Sequence, residues 1–171
     1  MLKKYIEAGK IVGTHGVRGE MRVQQWCDSA EVFNTFKKFY LDKNGAVSLK
    51  VKASRPHGNV CLLKVDGVET IEAAETLRGK VLYIDRADLK LQDGQFLIDD
   101  IVGCTVVDAA DHTEYGVISE VSQTGANDVW HIKKESNEYY LPNVPQFVKK
   151  VDIENRLVLI TPIGGMFDDE V

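Results

Sequence analysis

The 171 residues include 21 lysines and arginines against 26 aspartates and glutamates, a net charge of −5, and a chain of this length can form one domain or two. Its three cysteines are widely spaced and form no C-x-x-C pair, which argues against a disulfide framework or a zinc site and favours a reducing, cytoplasmic location. Because no apolar stretch approaches about 18 residues, we expect neither a signal peptide nor a membrane span.

The charge is unevenly divided along the chain. Residues 1–87 hold 15 basic and 10 acidic side chains, whereas residues 88–171 hold 6 and 16, so the halves carry plus five and minus ten. One interpretation is two surfaces with different partners, nucleic acid for the basic half and a basic protein for the acidic half. The other is ordinary solubilising charge, since blocks of like sign are often only solvated surface.

Strand patterns dominate the first half and are predicted at residues 5–12, 20–25, 38–41, 47–54, 60–65 and 80–84. Two short helices are expected between them, one starting at Asp28 with Glu31 three residues later, the other over residues 70–77 before Gly79. Turn residues at 55–59 separate the fourth and fifth strands. Because so short a sheet has few other ways to protect its edges, we predict a closed or nearly closed barrel.

The connection between the first two strands is rich in glycine, with glycines three residues apart at positions 13, 16 and 19. Four basic side chains around this bend could donate to a phosphate or another anion: Lys10, His15, Arg18 and Arg22. The spacing differs from the G-x-G-x-x-G of dinucleotide sites, and the residues that follow alternate as a strand rather than opening a helix. A plain hairpin is therefore favoured over a nucleotide site, and RNA contact through phosphates, without base readout, is the hypothesis for these cations.

The second half repeats the strand pattern after a polar, turn-rich segment at residues 86–95. Strands are predicted at residues 103–107, 116–121, 128–132, 139–141, 147–151 and 157–160. We therefore predict a mostly β protein with an N-terminal barrel at 1–86, a linker at 87–94, a second small barrel at 95–163 and a loosely ordered acidic tail at 164–171.

Signatures of catalysis are missing from the sequence. The four histidines lie in unrelated segments without ligand spacing, and no G-x-S-x-G occurs. Asp99 and Asp100 are adjacent, so on a strand they would point to opposite faces and could not act as an acid and base pair unless the chain turns there. We expect no catalytic residue, no metal, no cofactor and no small-molecule substrate.

Several segments together resemble the RimM family of ribosome maturation factors. In chain order they are G-K-I-V-G-T-H-G-V-R-G-E at 9–20, E-A-A-E-T-L-R-G-K at 72–80, D-I-V-G-C at 100–104, G-A-N-D-V-W at 125–130 and L-P-N-V-P-Q-F-V-K-K-V-D at 141–152. The resemblance spans essentially the whole chain. It implies an N-terminal RimM-type barrel followed by a PRC-barrel domain.

The resemblance also implies a function. RimM proteins are non-catalytic assembly factors for late maturation of the small-subunit head and processing of its ribosomal RNA, and they bind the nineteenth small-subunit ribosomal protein and free small subunits. The implied protein is a cytoplasmic monomer without a membrane partner. Two alternatives stay open: a general RNA-binding module unconnected with assembly, and an enzyme that binds a phosphorylated ligand at the glycine loop.

The family's partner-binding segment carries consecutive aromatics just after the linker, and this chain departs from that pattern. The corresponding positions are Phe96, Leu97, Ile98, Asp99 and Asp100, of which only the first is aromatic. The resemblance assigns ribosomal-protein binding to these residues. The alternative is that Phe96 and Ile98 pack between the domains, as their apolar character would favour.

Overall fold

The computed structural model describes residues 2–92 and 94–168. The chain divides into two compact units, one formed by Lys3–Lys90 and the other beginning at Leu91. Strands dominate both units, and each unit has its own hydrophobic core. The mostly β fold with two β domains that the sequence predicts is confirmed.

The first unit contains six strands: β1 (Tyr5–His15), β2 (Glu20–Gln25), β3 (Lys38–Tyr40), β4 (Ser48–His57), β5 (Val60–Val65) and β6 (Val81–Asp85). They form a closed antiparallel barrel in the order β1-β2-β5-β4-β3-β6. Alternation along β2 shows how the sequence builds the wall, because Met21 and Val23 are 0% exposed inside while Arg22 between them is exposed outside. Closure pairs both edges of every strand, which removes the edges that a flat sheet would expose.

Register shifts bend the long strands of this barrel. They occur in β1 between Glu7 and Gly9 and between Ile11 and Gly13, and in β4 between Val51 and Ala53. Such bulges increase local twist and allow one strand to serve two neighbours. They also explain why β1 runs on to His15 although alternation predicts an end near residue 12, since pairing with β2 resumes after the second shift.

Two short helices, α1 (Ala30–Phe33) and α2 (Ile71–Glu75), pack against the barrel. The cap of α1 is Ser29, whose Oγ accepts a hydrogen bond of 3.2 Å from the backbone N–H of Val32. The predicted start at Asp28 is therefore wrong by one residue. Thr70 caps α2 in the same way, with 3.1 Å between Ala73 N and its Oγ1.

The described residues of the second unit form α3 (Ile98–Ile101) and six strands: β7 (Thr105–Asp108), β8 (Glu114–Gln123), β9 (Asp128–Lys134), β10 (Asn137–Pro142), β11 (Val148–Asp152) and β12 (Leu157–Ile160). They form a sheet in the order β10-β9-β8-β7-β12-β11, antiparallel except for the parallel pair β12 and β7. Trp130 of β9 lies in the core at 0% exposure, together with Leu141 of β10 and Ile160 of β12. Strands from both halves of the sheet thus contribute to one core.

The chain after β12 packs back on this unit. Met166 and Phe167 lie against the second core, and the Phe167 ring stacks on Tyr115 at 4.2 Å and meets Tyr139 edge-on at 5.2 Å. The expectation of a loosely ordered tail from residue 164 is therefore wrong for these two residues, because both pack against the core and Phe167 also contacts two aromatic rings. Residues 169–171 of the predicted acidic tail lie outside the described residues.

Over residues 2–92 and 94–168, no helix has the length and apolar character needed to cross a membrane. The same residues contain no group of three or more histidine, cysteine or acidic side chains arranged to hold a metal ion.

Candidate functional site

The glycine-rich segment forms a hairpin between β1 and β2. Pairing runs to His15 opposite Glu20, so the loop consists of residues 16–19, and both Gly16 and Gly19 have positive φ, +65° and +84°. No helix follows the loop, which removes the strand-loop-helix context that nucleotide motifs require. The hairpin prediction is confirmed.

Lys64 holds this loop against its neighbour. Its Nζ donates to the backbone carbonyls of Arg18 and Val68 and to Glu69 Oε2, the last at 2.9 Å. A side chain on Gly19 would overlap the Val68 carbonyl, so only glycine allows this close approach. The end of the loop at Arg18 and Gly19 is therefore held against the chain at residues 68–69.

Glu69 neutralises two of the basic residues in this region. Its carboxylate lies 2.7 Å from Lys52 Nζ and 2.9 Å from Lys64 Nζ, and these hydrogen bonds lower the pKa of Glu69 to about 2. The bond to Glu69 also raises the pKa of Lys52. Both lysines are therefore already paired with a carboxylate of the same domain and are poor candidates for contact with an external anion.

The four predicted anion-contacting residues lie on or beside the outer face of β1 and β2. Lys10 and Arg22 are exposed on the strands, Arg18 is exposed at the loop and His15 is half-buried at the end of β1. Within the described part of the chain, Lys10, Arg18 and Arg22 have no carboxylate within 4.0 Å. Their charge is therefore free to meet an anion from outside.

Two residues that the sequence prediction assigned to a turn join this face. β4 continues through Arg55 to His57, whose ring lies 5.0 Å from that of His15. Arg55 Nη1 is 3.0 Å from Glu20 Oε2, a charge contact without the alignment of a hydrogen bond. Only the cross-strand register brings these residues together, so no local sequence signal could have found them.

The segment predicted to bind a protein forms part of the second unit. Phe96 packs against the second core, with its ring 5.8 Å from that of Trp130 in an edge-on contact. Ile98–Ile101 forms the short helix α3, and Ile101 is 0% exposed. The chain therefore turns at Asp99 and Asp100, which is the case that the sequence left open.

The thiols are poorly suited to nucleophilic chemistry. Burial raises the pKa of Cys27 to about 11, with the negative charge of Asp28 as a second cause, and burial also raises the pKa of Cys61 and Cys104. Each thiol therefore stays protonated at neutral pH. The Cys104 thiol donates to the backbone carbonyl of Asp100 at 3.4 Å, a structural role at the end of α3.

Comparison with known proteins gives a match in each unit. The model described as the RimM N-terminal domain matches residues 6–89, and the model described as the RimM PRC barrel domain matches residues 98–166. The chain is therefore a two-domain protein with an N-terminal barrel and a PRC-type domain.

The sequences of individual relatives align with this chain over nearly all of its residues. Ribosome maturation factor RimM of Clostridioides difficile is 37% identical over 166 residues, covering 96% of each chain, and the RimM of Staphylococcus aureus strain MRSA252 is 38% identical over 95% of this chain and 99% of its own. A crystal structure of a RimM protein from Pseudomonas aeruginosa matches 91% of this chain and 96% of its own, at 27% identity and a TM-score of 0.47. The chain belongs to the RimM family.

Proposed function

We propose that this protein is a cytoplasmic, non-catalytic assembly factor for the small ribosomal subunit, acting late in maturation of the subunit head and in processing of its ribosomal RNA. The observation that carries the proposal is the 37% identity over 166 residues with a protein named ribosome maturation factor RimM. In this proposal the N-terminal barrel contacts ribosomal RNA, and the second unit binds the nineteenth small-subunit ribosomal protein, a basic protein.

The RNA contact is proposed for Lys10, His15, Arg18 and Arg22. Its support is the exposure, on or beside one face of the hairpin, of three cations that have no carboxylate partner among the described residues. Each phosphate neutralised by such a cation releases counterions, so log K should fall with log salt by about 0.7 to 0.9 per phosphate. Arg22→Gln should weaken binding to RNAs of any sequence and reduce that slope by about 0.7 to 0.9, the contribution of one phosphate.

The protein contact is proposed for Phe96, Leu97, Ile98, Asp99 and Asp100. The net charge of minus ten over residues 88–171 supports a basic partner, because complementary charge speeds encounter and excludes wrong partners. Since Phe96 packs on Trp130, its truncation would disturb the fold and is a poor test of binding. The better variants are Leu97→Ala and Asp99→Asn.

One binding experiment tests both contacts in the whole chain. The purified chain is sedimented with free small ribosomal subunits, and the bound fraction is compared for the wild type, Arg22→Gln and the pair Leu97→Ala with Asp99→Asn. We expect the wild type to cosediment and both variants to bind several-fold less. Wild-type protein that stays in the supernatant would contradict the proposal. Binding to purified RNA with no affinity for subunits would favour a general RNA-binding module instead.

A further inference from the structure

Two histidines that are far apart in sequence meet on the outer face of the barrel. His15 ends β1 and His57 ends β4, yet their ring centroids are 5.0 Å apart with the planes inclined by 59°. Along the order β1-β2-β5-β4, two strands lie between them. The side chains therefore reach towards each other across the surface of those strands.

Arg22 occupies the strand next to His15 on this face. It is paired with Gly13 on β1 and with Leu62 on β5, and its Cδ is the nearest atom to the position that a Gly13 Cβ would take, at 3.8 Å. Because Gly13 has no side chain, the arginine extends over β1, which is also the strand that carries His15. Its guanidinium has no carboxylate partner among the described residues.

An apolar residue lies beneath these polar groups. Leu62 is only 1% exposed although Cys61 and Leu63 on either side of it face the core, so alternation places Leu62 on the outer face. Its cross-strand neighbours there are Arg22 and Arg55. The burial of Leu62 shows that neighbouring side chains cover it on the outer face of the barrel.

One carboxylate faces this group. Glu20, opposite His15 in the β1 and β2 ladder, lies 3.0 Å from Arg55 and offsets its charge. The other charged groups on these strands and the loop are Glu7 and Lys10 on β1, Arg18 at the loop, Lys50 and Lys52 on β4 and Lys64 on β5. Glu69 holds Lys52 and Lys64, and among the described residues Lys10 and Arg18 have no carboxylate within 4.0 Å. The balance around the two imidazoles is therefore positive, and it becomes more so when a histidine takes up a proton.

We propose that His15, His57 and Arg22 form a proton-dependent phosphate site that binds a backbone phosphodiester of RNA, an inference that rests on the RNA contact proposed above. Histidine is the side chain that ordinarily gains its charge between pH 5 and 8. Two imidazolium rings this close repel each other, and a phosphate bound beside both rings offsets that repulsion. Anion binding and proton uptake therefore favour each other, while Arg22 supplies a charge that does not titrate.

The four histidines provide an internal control for an NMR test. Ring nitrogen resonances of the full-length chain are followed during titration with a short RNA duplex and, separately, with inorganic phosphate at constant ionic strength. We expect the RNA to shift His15 and His57 while His112 and His131, both in the second unit, stay unchanged. Equal shifts at all four rings would overturn the proposal. Saturation by inorganic phosphate without any shift from RNA would overturn the assignment to RNA.

Affinity measurements test the proton linkage. Binding of the same duplex is measured by fluorescence anisotropy at pH 6 and pH 8, with His57→Gln as the variant and His112→Gln as the matched control. Uptake of one proton should make wild-type binding about tenfold tighter at pH 6. The control should behave as the wild type at both pH values, and His57→Gln should lose most of the difference between them.

The histidine site and the RNA contact on which it rests can be contradicted separately. RNA binding with the expected salt dependence but no dependence on pH, or an unchanged pH dependence in His57→Gln, would overturn the histidine site and leave the proposed RNA contact standing. Absence of RNA binding at both pH values would remove both.

Discussion

Gly19 should be the most sensitive residue of the hairpin loop. Its φ of +84° places an alanine in the left-handed region, at a cost of about 1 kcal/mol. The added Cβ would also overlap the Val68 carbonyl and lie 3.1 Å from Glu69 N, so the loop and the chain at residues 68–69 must separate. Separation weakens the bonds from Lys64 to the carbonyls on both sides, and a hydrogen bond to a charged group contributes about 1.5–3 kcal/mol. We expect Gly19→Ala to lower the unfolding free energy of the first unit by about 3–4 kcal/mol in total.

Gly16→Ala is the matched control for this variant. Gly16 also has positive φ, +65°, but no atom lies within 4 Å of its Cβ position, so only the conformational cost of about 1 kcal/mol applies. The difference of about 2–3 kcal/mol corresponds to a factor of about 30 to 140 in the unfolding equilibrium. Hydrogen exchange read by mass spectrometry resolves it, because peptides from Lys3–Lys90 report on the first unit and later peptides on the second. Equal losses in the two variants would show that the contact with Val68 contributes nothing.

Three other substitutions test separate parts of the structure. The two lysines beside Glu69 lower its pKa from 4.5 to about 2, so its stabilising effect is present above pH 4.5 and is lost as the pH falls towards 2. Glu69→Gln should therefore reduce the dependence of the unfolding free energy on pH over that interval, and an unchanged dependence would contradict the pairing. Phe96→Ala should destabilise the second unit by about 2 kcal/mol in urea unfolding, and Leu97→Ala by under about 1; the reverse order would refute the packing assignment. Burial, followed by the Asp108 hydrogen bond, raises the pKa of Tyr115 to about 12. Phe167→Ala should lower that pKa towards 10 in an ultraviolet titration, and no change would exclude shielding by Phe167.

Local pattern was sufficient to find most of the strands. Alternation or an apolar run bounded by turn residues predicted β2, β5 and β12 at the residues where the structure has them. The closed first barrel followed from counting short strands that each need two partners. These inferences succeed because the side-chain period of a strand is a property of the strand itself.

Features that depend on contacts between distant residues could not be predicted. The α3 segment combines apolar and acidic residues that fit a strand equally well, and only the burial of Ile101 decides for a helical turn. Phe167 was assigned to a tail because the acidic residues around it suggested solvation, whereas its stacking on Tyr115 requires knowing that β8 lies nearby.

Part of the candidate RNA-contacting face also depends on contacts between residues that are distant in sequence. Its β1 and β2 residues could be proposed from the sequence because they surround one loop. Arg55 and His57 enter only through the register of β4 against β5, which passes a bulge between Val51 and Ala53. A shift of one residue in that pairing would turn both side chains to the other face of the sheet.

The central claim, that this chain assists assembly of the small ribosomal subunit without performing chemistry, is tested most directly in cells that lack the gene. The measurement is the ribosome profile on a sucrose gradient, together with the fraction of small-subunit ribosomal RNA that remains unprocessed. The account predicts an excess of free subunits and accumulation of precursor RNA, both reversed when the chain is supplied again. A normal profile with fully processed RNA in the deleted strain would contradict it.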